Sequence, residues 1–326
     1  LTTARSKQTS DAEAALYAVL DAAAQVSNLS QPGTIPDQVA ALTLTQSRAW
    51  CSGLAACLQP NYAARPVQFG SYNLMVFGSA TLTNSDVEGS AAIGGAASVT
   101  NHSIASQLYG DAGRLIVAGS LAWTTSGSVG KNGTGVIVVG GAAQVSQSVG
   151  RKSLTTATQV EDFVAWKAYY TALSNRYSTL AALPAVSSAG GKWTMRGTNP
   201  TQNVFIMSGA DLDAANSLVF DVPQTASAIV NVTGTSAGFT NGEAALLVNG
   251  QQQSLSGHPY AANILFNFRD VTTLNINSWS PQGTILAPRA RLTHANAHVN
   301  GQVIVNELVS TGAFKQCGAY RGTVPQ

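Results

Sequence analysis

The first half of the chain repeats one short pattern: an apolar β-branched residue, a glycine, then small and apolar residues ending in Thr or Ser. The pattern is centred on Gly78, Gly95, Gly119 and Gly141, so its periods are 17, 24 and 22 residues. Repetition at this spacing is typical of stacked supersecondary units, none of which can bury its apolar side alone. It predicts a stacked β-structure with a long, flat and regular surface.

Composition limits the partners that such a surface can serve. Of the 326 residues only 10% are charged, the net charge is +2, and no Lys/Arg cluster in the sequence forms a track for phosphates. These observations argue against nucleic acid as a partner. No apolar run reaches the roughly 18 residues that cross a bilayer, so we expect no membrane insertion.

Two kinds of residue favour secretion. Glycosylation acceptor sequences begin at four asparagines, namely Asn28, Asn101, Asn132 and Asn231. The cysteines are Cys51, Cys57 and Cys317. A disulfide between Cys51 and Cys57, or from either to Cys317, would suit an oxidising compartment, whereas three buried free thiols are the alternative.

Residues 1–65 form a predicted helical segment, and residues 66–326 form the predicted solenoid domain. A capping-box pattern covers Ser10 to Glu13, and a break at Pro32-Gly33 follows. Between them lie apolar residues at helical spacing, namely Leu16, Val19, Leu20, Ala23 and Val26.

A second helix is predicted near residues 159–183. It follows a capping-box pattern from Thr158 to Glu161 and ends before Pro184. Bulky residues recur at steps of three and four, namely Phe163, Trp166, Tyr170, Leu173, Tyr177 and Leu180. The residues beside the repeat glycines are mostly small, so we expect this helix to pack lengthwise over them, with its aromatic side chains in the core.

The second half returns to strand patterns. Short runs rich in Val, Ile, Leu and Phe recur from residue 203 to residue 305, bounded by Gly, Asn and Pro. Such runs indicate an all-β body. The predicted order is therefore solenoid half, helix and solenoid half, with both halves in one stacked domain.

Several segments between Tyr72 and Tyr320 carry a family resemblance. They stand in the family's order over about three quarters of the chain and include residues 72–78, 84–89, 92–95, 203–205, 264–268, 283–288 and 300–305. This region resembles the choice-of-anchor A family of ice-binding-like adhesive domains. The resemblance implies a discontinuous β-solenoid with a helix alongside, as in ice-binding proteins. Members include bacterial adhesins and the Jonah-type lectins of protist cyst walls, so it also implies a secreted protein that binds cellulose or chitin in a cell or cyst wall.

Aromatic residues are the candidate ligands for such a polysaccharide. Two rungs of a parallel sheet advance about 9.6 Å, close to the repeat of a β-1,4-linked disaccharide. Rings on alternate rungs could therefore stack on successive sugars of one chain. The candidates are Trp279, Tyr260, Trp193, Tyr109, Tyr320 and Trp123. The polar surroundings of Trp279 and Tyr260 predict exposure, whereas Trp123 aligns with inward positions of the repeat and is expected in the core.

Ice, or a protein partner of an adhesive domain, is the alternative ligand. A strip of hydroxyl-bearing residues follows the repeat, namely Thr81, Thr83, Ser98, Thr100 and Thr124. Matching a crystal lattice requires such a strip to persist over many rungs. In the repeat it decays within four rungs, so β-branched residues that simply fill a strand surface are the competing interpretation.

Catalysis is the third possibility, and the sequence offers little for it. Hydrolysis of polysaccharides needs paired carboxylates, and the closest pairs are Asp86 with Glu88 and Asp211 with Asp213, in predicted turns. His294 and His298 are four residues apart without a nearby third ligand, so we expect no zinc site. The sequence therefore favours a non-enzymatic lectin without cofactor or metal.

Overall fold

The structure is a parallel β-solenoid that the chain builds in two halves. It is a computed structural model that describes residues 69, 72–158, 160–248, 250–316 and 319–322. The helical segment predicted over residues 1–65 lies outside the described residues. The cysteines 51, 57 and 317 also lie outside them, so their pairing stays open.

In the first half, each coil contributes one strand to each of three faces. The alternation of inward apolar and outward polar residues places one side of every strand in the core. The strands are β1 (Leu74–Val76), β2 (Ala80–Thr83), β3 (Asp86–Val87), β4 (Ala91–Ile93), β5 (Ala97–Thr100), β6 (His102–Ile104), β7 (Arg114–Val117), β8 (Leu121–Trp123), β9 (Gly127–Val129), β10 (Val136–Val139), β11 (Ala143–Val145), β12 (Val149–Gly150) and β13 (Ser153–Thr156). Taken in threes they lie on the first, second and third face, and β13 returns to the first.

The second half follows helix α1 (Phe163–Ser178). It also holds the short helix α2 (Gly209–Asp213). Its strands are β14 (Leu183–Pro184), β15 (Val186–Ser188), β16 (Lys192–Arg196), β17 (Gln202–Ser208), β18 (Ser217–Asp221), β19 (Ser227–Thr233), β20 (Ser236–Phe239), β21 (Glu243–Val248), β22 (Gln251–Ser254), β23 (Ile264–Asn267), β24 (Thr273–Asn277), β25 (Thr284–Ala295), β26 (His298–Asn300), β27 (Val303–Ser310) and β28 (Ala313–Lys315). Short 3-10 helices lie at Gly110–Ala112, Lys131–Gly133, Ala189–Gly191 and Pro259–Asn263.

The two halves join because the first coil pairs with the last. Strand β1 lies between β4 and β27, and β2 lies between β5 and β27. On the third face β3 pairs with β28. The stack of coils is thus continuous, although coils that are neighbours in space come from distant parts of the chain. This confirms the predicted all-β, discontinuous solenoid.

The repeat glycines mark the corner between the first and second faces. A Cβ on Gly95, Gly119 or Gly141 would come within 2.6–2.8 Å of backbone atoms of the glycine one coil before it. Only glycine allows the coils to stack so closely there. The chain turns at this corner, so the strand before each glycine lies on the first face and the strand after it lies on the second, while apolar residues on both sides, such as Val76 and Leu82, point into the core.

Helix α1 packs on the first face. Its buried side chains include Phe163, Trp166, Tyr170, Leu173 and Tyr177, as the stripe predicts. They contact outward residues of the strands that precede the corner, including Met75, Ile116, Ile229, Leu265 and Ile304. Of the small residues beside the glycines, those before the corner meet the helix, because Ala118 packs against it and a Cβ on Gly94 would lie 2.9 Å from Phe163. Those after the glycines, including Ser79 and Ser120, stay exposed on the second face, so the predicted packing is wrong for them. None of the described helices is long and apolar enough to cross a bilayer.

The start of α1 also differs from the prediction. Asp162 caps the helix, and its carboxylate accepts a hydrogen bond from the Ala165 N–H. The predicted capping box from Thr158 to Glu161 is thus not used, and the Glu161 carboxylate instead accepts a bond from the Tyr72 hydroxyl at 3.2 Å.

A buried polar network fixes α1 to the first face. The Asn267 side chain donates to the Ser174 carbonyl at 2.9 Å and to the Asn231 side-chain oxygen at 2.8 Å. The Ser174 hydroxyl donates to Asn267 at 2.6 Å, and Asn231 donates to the Tyr177 carbonyl at 2.9 Å. Because these buried side chains all have hydrogen-bond partners, the network fixes one position of the helix along the sheet.

Asn73 joins the first and last coils. Its side-chain amide donates to the carbonyls of Gly301 and Lys315 at 3.0 and 3.1 Å. Its side-chain oxygen accepts from the Gly89 N–H at 3.1 Å. One buried side chain thus satisfies backbone groups from both halves.

We expect Asn73→Ala to lower the free energy of unfolding by about 2–4 kcal/mol, because it removes the side-chain partner of the Gly301 carbonyl and of the Gly89 N–H. Chemical denaturation followed by circular dichroism measures this difference. Asn275→Ala is the matched control, since Asn275 is exposed on β24. Equal stability of the Asn73 and Asn275 variants would contradict this role of Asn73.

Candidate functional site

The second face carries the candidate site, a flat sheet surface of eight parallel rungs. Its rungs are β11, β8, β5, β2, the second part of β27, the second part of β25, β24 and β20, in spatial order. We call their outward residues the flat face. Neighbouring rungs of such a sheet lie about 4.8 Å apart, so the face is roughly 34 Å long.

One outward column of the flat face is rich in hydroxyl groups. Its residues stand one above the other by the strand register and are all at least partly exposed. We call it the hydroxyl column: Ser146, Thr124, Thr100, Thr83, Thr311, Ala295, Asn277 and Thr240. Four consecutive threonines lie at its centre.

The hydroxyl column extends the predicted strip by one rung, to Thr311, and is then interrupted at Ala295 and Asn277. The predicted residues Thr83, Thr100 and Thr124 belong to it, but the column continues through Thr311 because β2 pairs with β27. Residues of the second half were missed because β25 and β27 cross the corner as unbroken strands without the repeat glycine. The sequence pattern that revealed the first half is absent there.

The column beside it mixes polar, small and apolar residues. Thr81 and Ser98 lie in it as predicted, and Val309 and Thr293 continue it. A third outward column lies beyond the second one. In it, the strand register places Arg291 directly across from Glu307, so their opposite charges compensate each other. The flat face is therefore wide, nearly neutral and free of projecting rings, since its eight rungs carry no outward aromatic residue.

Four of the six aromatic candidates are core residues. Trp279 is 1% exposed and Tyr260 is 4% exposed, so their predicted exposure is wrong. Trp279 packs edge-on against Phe239, with ring centroids 5.3 Å apart. Tyr260 donates to the Ala226 carbonyl at 2.8 Å. Their polar sequence neighbours turn outward while the rings fill the interior.

The other two core rings lie elsewhere in the stack. Trp123 is fully buried, as expected from its place in the repeat, and its indole N–H donates to the Ser126 carbonyl at 3.2 Å. Tyr320 packs against Phe69 and Tyr177, and burial raises its pKa to about 12. Neither ring offers a surface to a ligand.

Tyr109 and Trp193 remain accessible, but they lie away from the flat face. Tyr109 is 55% exposed in the connection between β6 and β7, with the Lys131 ammonium 5.4 Å from its ring centroid. Trp193 is half-buried on β16, in a separate five-stranded sheet. The structure therefore does not bring the six candidates together, and a sugar contact at these two residues stays a prediction.

The carboxylate pair Asp86 and Glu88 forms an ionic cluster on the third face. Lys315 lies 3.5 Å from the Asp86 carboxylate and 3.2 Å from that of Glu88. Burial works to lower the pKa of Lys315, but the two carboxylates outweigh it and raise the pKa. Because Lys315 belongs to the last coil, this cluster joins the two halves.

The other acidic pair and the histidines also have structural partners. Asp211 accepts a hydrogen bond from the Ser208 hydroxyl at 2.6 Å at the start of α2. The His294 ring nitrogen Nδ1 lies 3.0 Å from the Ser310 hydroxyl. Within the described parts of the chain, no group of three or more His, Cys, Asp or Glu residues could hold a metal ion.

A groove of about 610 Å³ runs beside α1, next to the corner that leads to the flat face. Phe77, Gly94 and Phe163 line its floor, and Lys167 stands at its rim. The Lys167 ammonium donates to the Asn306 side chain at 2.7 Å. The groove is formed where the helix packs on the first face. It brings no titratable groups together.

Comparisons with known proteins found a matching family model and several similar solved structures. A family model described as "Putative Ice-binding-like adhesive domain" matches residues 67–316. Solved structures similar to this chain include an ice-binding protein from the Antarctic ascomycete Antarctomyces psychrotrophicus (12% identity, 79% of this chain, 96% of that chain, TM-score 0.30). Another comes from an Antarctic biological consortium (12%, 80%, 95%, 0.29) and a third from an Antarctic bacterium of the Flavobacteriaceae (10%, 77%, 78%, 0.31). No curated protein matches the sequence.

Proposed function

The chain belongs to the family of ice-binding-like adhesive domains, and from that premise we propose that it is a secreted, non-catalytic domain that binds ice through its flat face. The observation that carries the proposal is the hydroxyl column, in which five consecutive rungs from Ser146 to Thr311, and the last rung at Thr240, carry a hydroxyl group. A rigid array of hydroxyl groups at a fixed spacing suits a solid whose own hydrogen-bonding groups repeat in two dimensions.

The neutrality of the flat face supports a neutral solid as the partner. Its hydroxyl column carries no charge, and the opposite charges of Arg291 and Glu307 in the third column compensate each other. A partner held by ion pairs would need an excess of one sign. Threonine is stiff at χ1, so the hydroxyl groups are held in place before binding and little conformational entropy is lost.

Crystalline cellulose or chitin in a wall is the second candidate. One observation favours it: two rungs of the flat face advance about as far as one β-1,4-linked disaccharide. Because Trp279, Tyr260, Tyr320 and Trp123 lie in the core, such binding would use the hydroxyl column and not stacked rings. This lectin mode thus differs from the one that the sequence predicts.

We expect Thr100→Arg at the centre of the hydroxyl column to reduce the protein fraction adsorbed to ice by about tenfold or more, because a long charged side chain holds the face away from the solid. The measurement is partition of the purified protein into a slowly grown ice hemisphere, together with inhibition of ice recrystallisation. Ser128→Arg on the third face is the matched control.

The outcomes separate the two candidates. Loss with Thr100→Arg and retention with Ser128→Arg supports ice binding through the flat face. Exclusion of the wild-type protein from ice refutes the ice proposal. Sedimentation with microcrystalline cellulose or chitin that is sensitive to Thr100→Arg would then establish the second candidate, and release of reducing sugar would contradict a non-catalytic function.

A further inference from the structure

A line of positive charge lies at a different place from the flat face, at the corner between the third and first faces. The chain passes this corner in the connections from β6 to β7, from β9 to β10 and from β12 to β13. These three connections, including the first residue of β7, carry four cations, namely Arg114, Lys131, Arg151 and Lys152. The three connections are far apart in sequence, and the stacking of coils brings them together.

Strand register places the connections one above the other. Arg114 pairs with Val136, which in turn pairs with Ser153, the residue after Lys152. Successive coils are about 4.8 Å apart, so the line of cations spans two such steps. We call Arg114, Lys131 and Lys152 together with Tyr109 the corner strip.

The acids near the corner strip do not cancel its charge. Asp111 is the one carboxylate in the three connections, and it pairs with Lys152 at 2.9 Å, with both side chains more than half exposed. An ion pair so exposed is weak and easily exchanged for another anion. The Glu161 carboxylate accepts a hydrogen bond from the Tyr72 hydroxyl. Burial and then Glu161 raise the pKa of Tyr72, whereas Arg114 lowers it.

Tyr109 adds a flat ring to this line of charge. Its ring is more exposed than any other ring on the described part of the chain, and Lys131 lies over it. The connection that holds it is firmly fixed, because the Lys131 N–H donates to the Leu108 carbonyl at 2.6 Å and the Gly110 N–H to the Thr134 hydroxyl at 3.0 Å. An exposed ring on a rigid backbone loses little entropy on binding.

We propose that the corner strip binds an acidic extended saccharide, with the Tyr109 ring against a sugar face and Arg114, Lys131 and Lys152 against successive carboxylates. Sugars offer flat apolar faces to aromatic rings, and guanidinium and ammonium groups form charge-assisted hydrogen bonds with carboxylates. The strip is too short for the longer phosphate track of a nucleic-acid binder. This site is separate from the flat face and does not depend on the function proposed for it.

The test measures binding of a defined polygalacturonate oligomer to the full chain at low ionic strength, by isothermal titration calorimetry. Protein from a bacterial host is used, so that Asn132 within the strip carries no glycan. We expect the Lys131→Gln/Lys152→Gln double variant and Tyr109→Ala each to bind about five- to tenfold more weakly, and added salt to weaken the wild type. Melting temperature and ice adsorption should not change.

Controls define what would overturn the proposal. Arg196→Gln removes an exposed cation outside the strip, on β16, and should bind as the wild type does. Equal loss with this control, or unchanged binding in the strip variants, refutes the corner strip as the site. Equal affinity for a neutral cello-oligosaccharide refutes its selectivity for acidic chains. Equal or tighter binding of single-stranded DNA of the same length refutes the saccharide and leaves a general polyanion site.

Discussion

Replacing Trp279 with alanine should lower the free energy of unfolding by about 3–5 kcal/mol, because it empties a site that a large, fully buried side chain fills. Trp279 packs against Phe239, and Phe239 packs against Phe266 and Phe268. The cavity would open within this aromatic cluster of the second half. Urea denaturation followed by tryptophan fluorescence and circular dichroism measures the loss.

The matched control is Trp193→Ala, which removes the same side chain from a half-buried position on β16. It should cost clearly less than Trp279→Ala. At a temperature where the Trp279 variant is folded, its ice adsorption per folded molecule should equal that of the wild type, since the flat face is unchanged. A variant that keeps its stability but loses binding would show that Trp279 contacts the ligand and that its burial has been misjudged.

Acid should destabilise the fold by roughly 3 kcal/mol for each of two buried histidines, His102 and His294. Burial lowers the pKa of His102 to about 4, against an opposing effect of Asp86. Burial also lowers the pKa of His294 to about 4; the Ala297 carbonyl opposes this and His298 adds to it. The His102 Nε2 is buried without a hydrogen-bond partner within the described residues.

The sign follows from which state takes up the proton. Above pH 6.5 both histidines are neutral in the folded and the unfolded chain, so they add no pH dependence. Between pH 6.5 and about pH 4 the unfolded chain binds the protons and the folded chain does not. The free energy of unfolding therefore falls by about 1.4 kcal/mol per pH unit for each histidine in this window.

Urea titrations at several pH values between 7 and 4 measure this slope. His102→Asn keeps an acceptor for the Ser85 N–H, which now donates to the His102 Nδ1 at 3.2 Å. This variant should lose about half of the pH dependence, whatever its stability at pH 7. A wild-type free energy of unfolding that is flat over the window would contradict the neutral, buried state of both rings.

The architecture could be predicted from the sequence wherever it depends on the spacing of residues that are close in the chain. The glycine repeat and the bulky stripe from Phe163 to Tyr177 each depend on residues close in the chain, so their periods predict the solenoid and its helix. The side chains that α1 would cover could not be read in this way. The chain changes face at the glycine corner, so outward residues on its two sides have different neighbours: Ala118 packs against the helix, whereas Ser120 is exposed.

The site was harder to predict because it depends on contacts between distant parts of the chain. Thr83 and Thr311 are neighbours in the hydroxyl column only because the first and last coils pair. The burial of Trp279 was predicted wrongly for a different reason. Ser278 adopts a left-handed backbone conformation, with φ of 60°. That conformation turns the chain next to the ring, whereas the polar neighbours in the sequence indicate a surface loop.

The pairing of the first and last coils has a mechanical consequence. The described domain starts and finishes in adjacent coils at the middle of the stack, where Phe69 and Tyr320 lie with ring centroids 5.7 Å apart. Both outer ends of the stack are built from internal segments of the chain. A pulling force on the two ends of the domain would thus load the central coils first. The outermost coils and much of the flat face would stay unloaded and in contact with the bound solid.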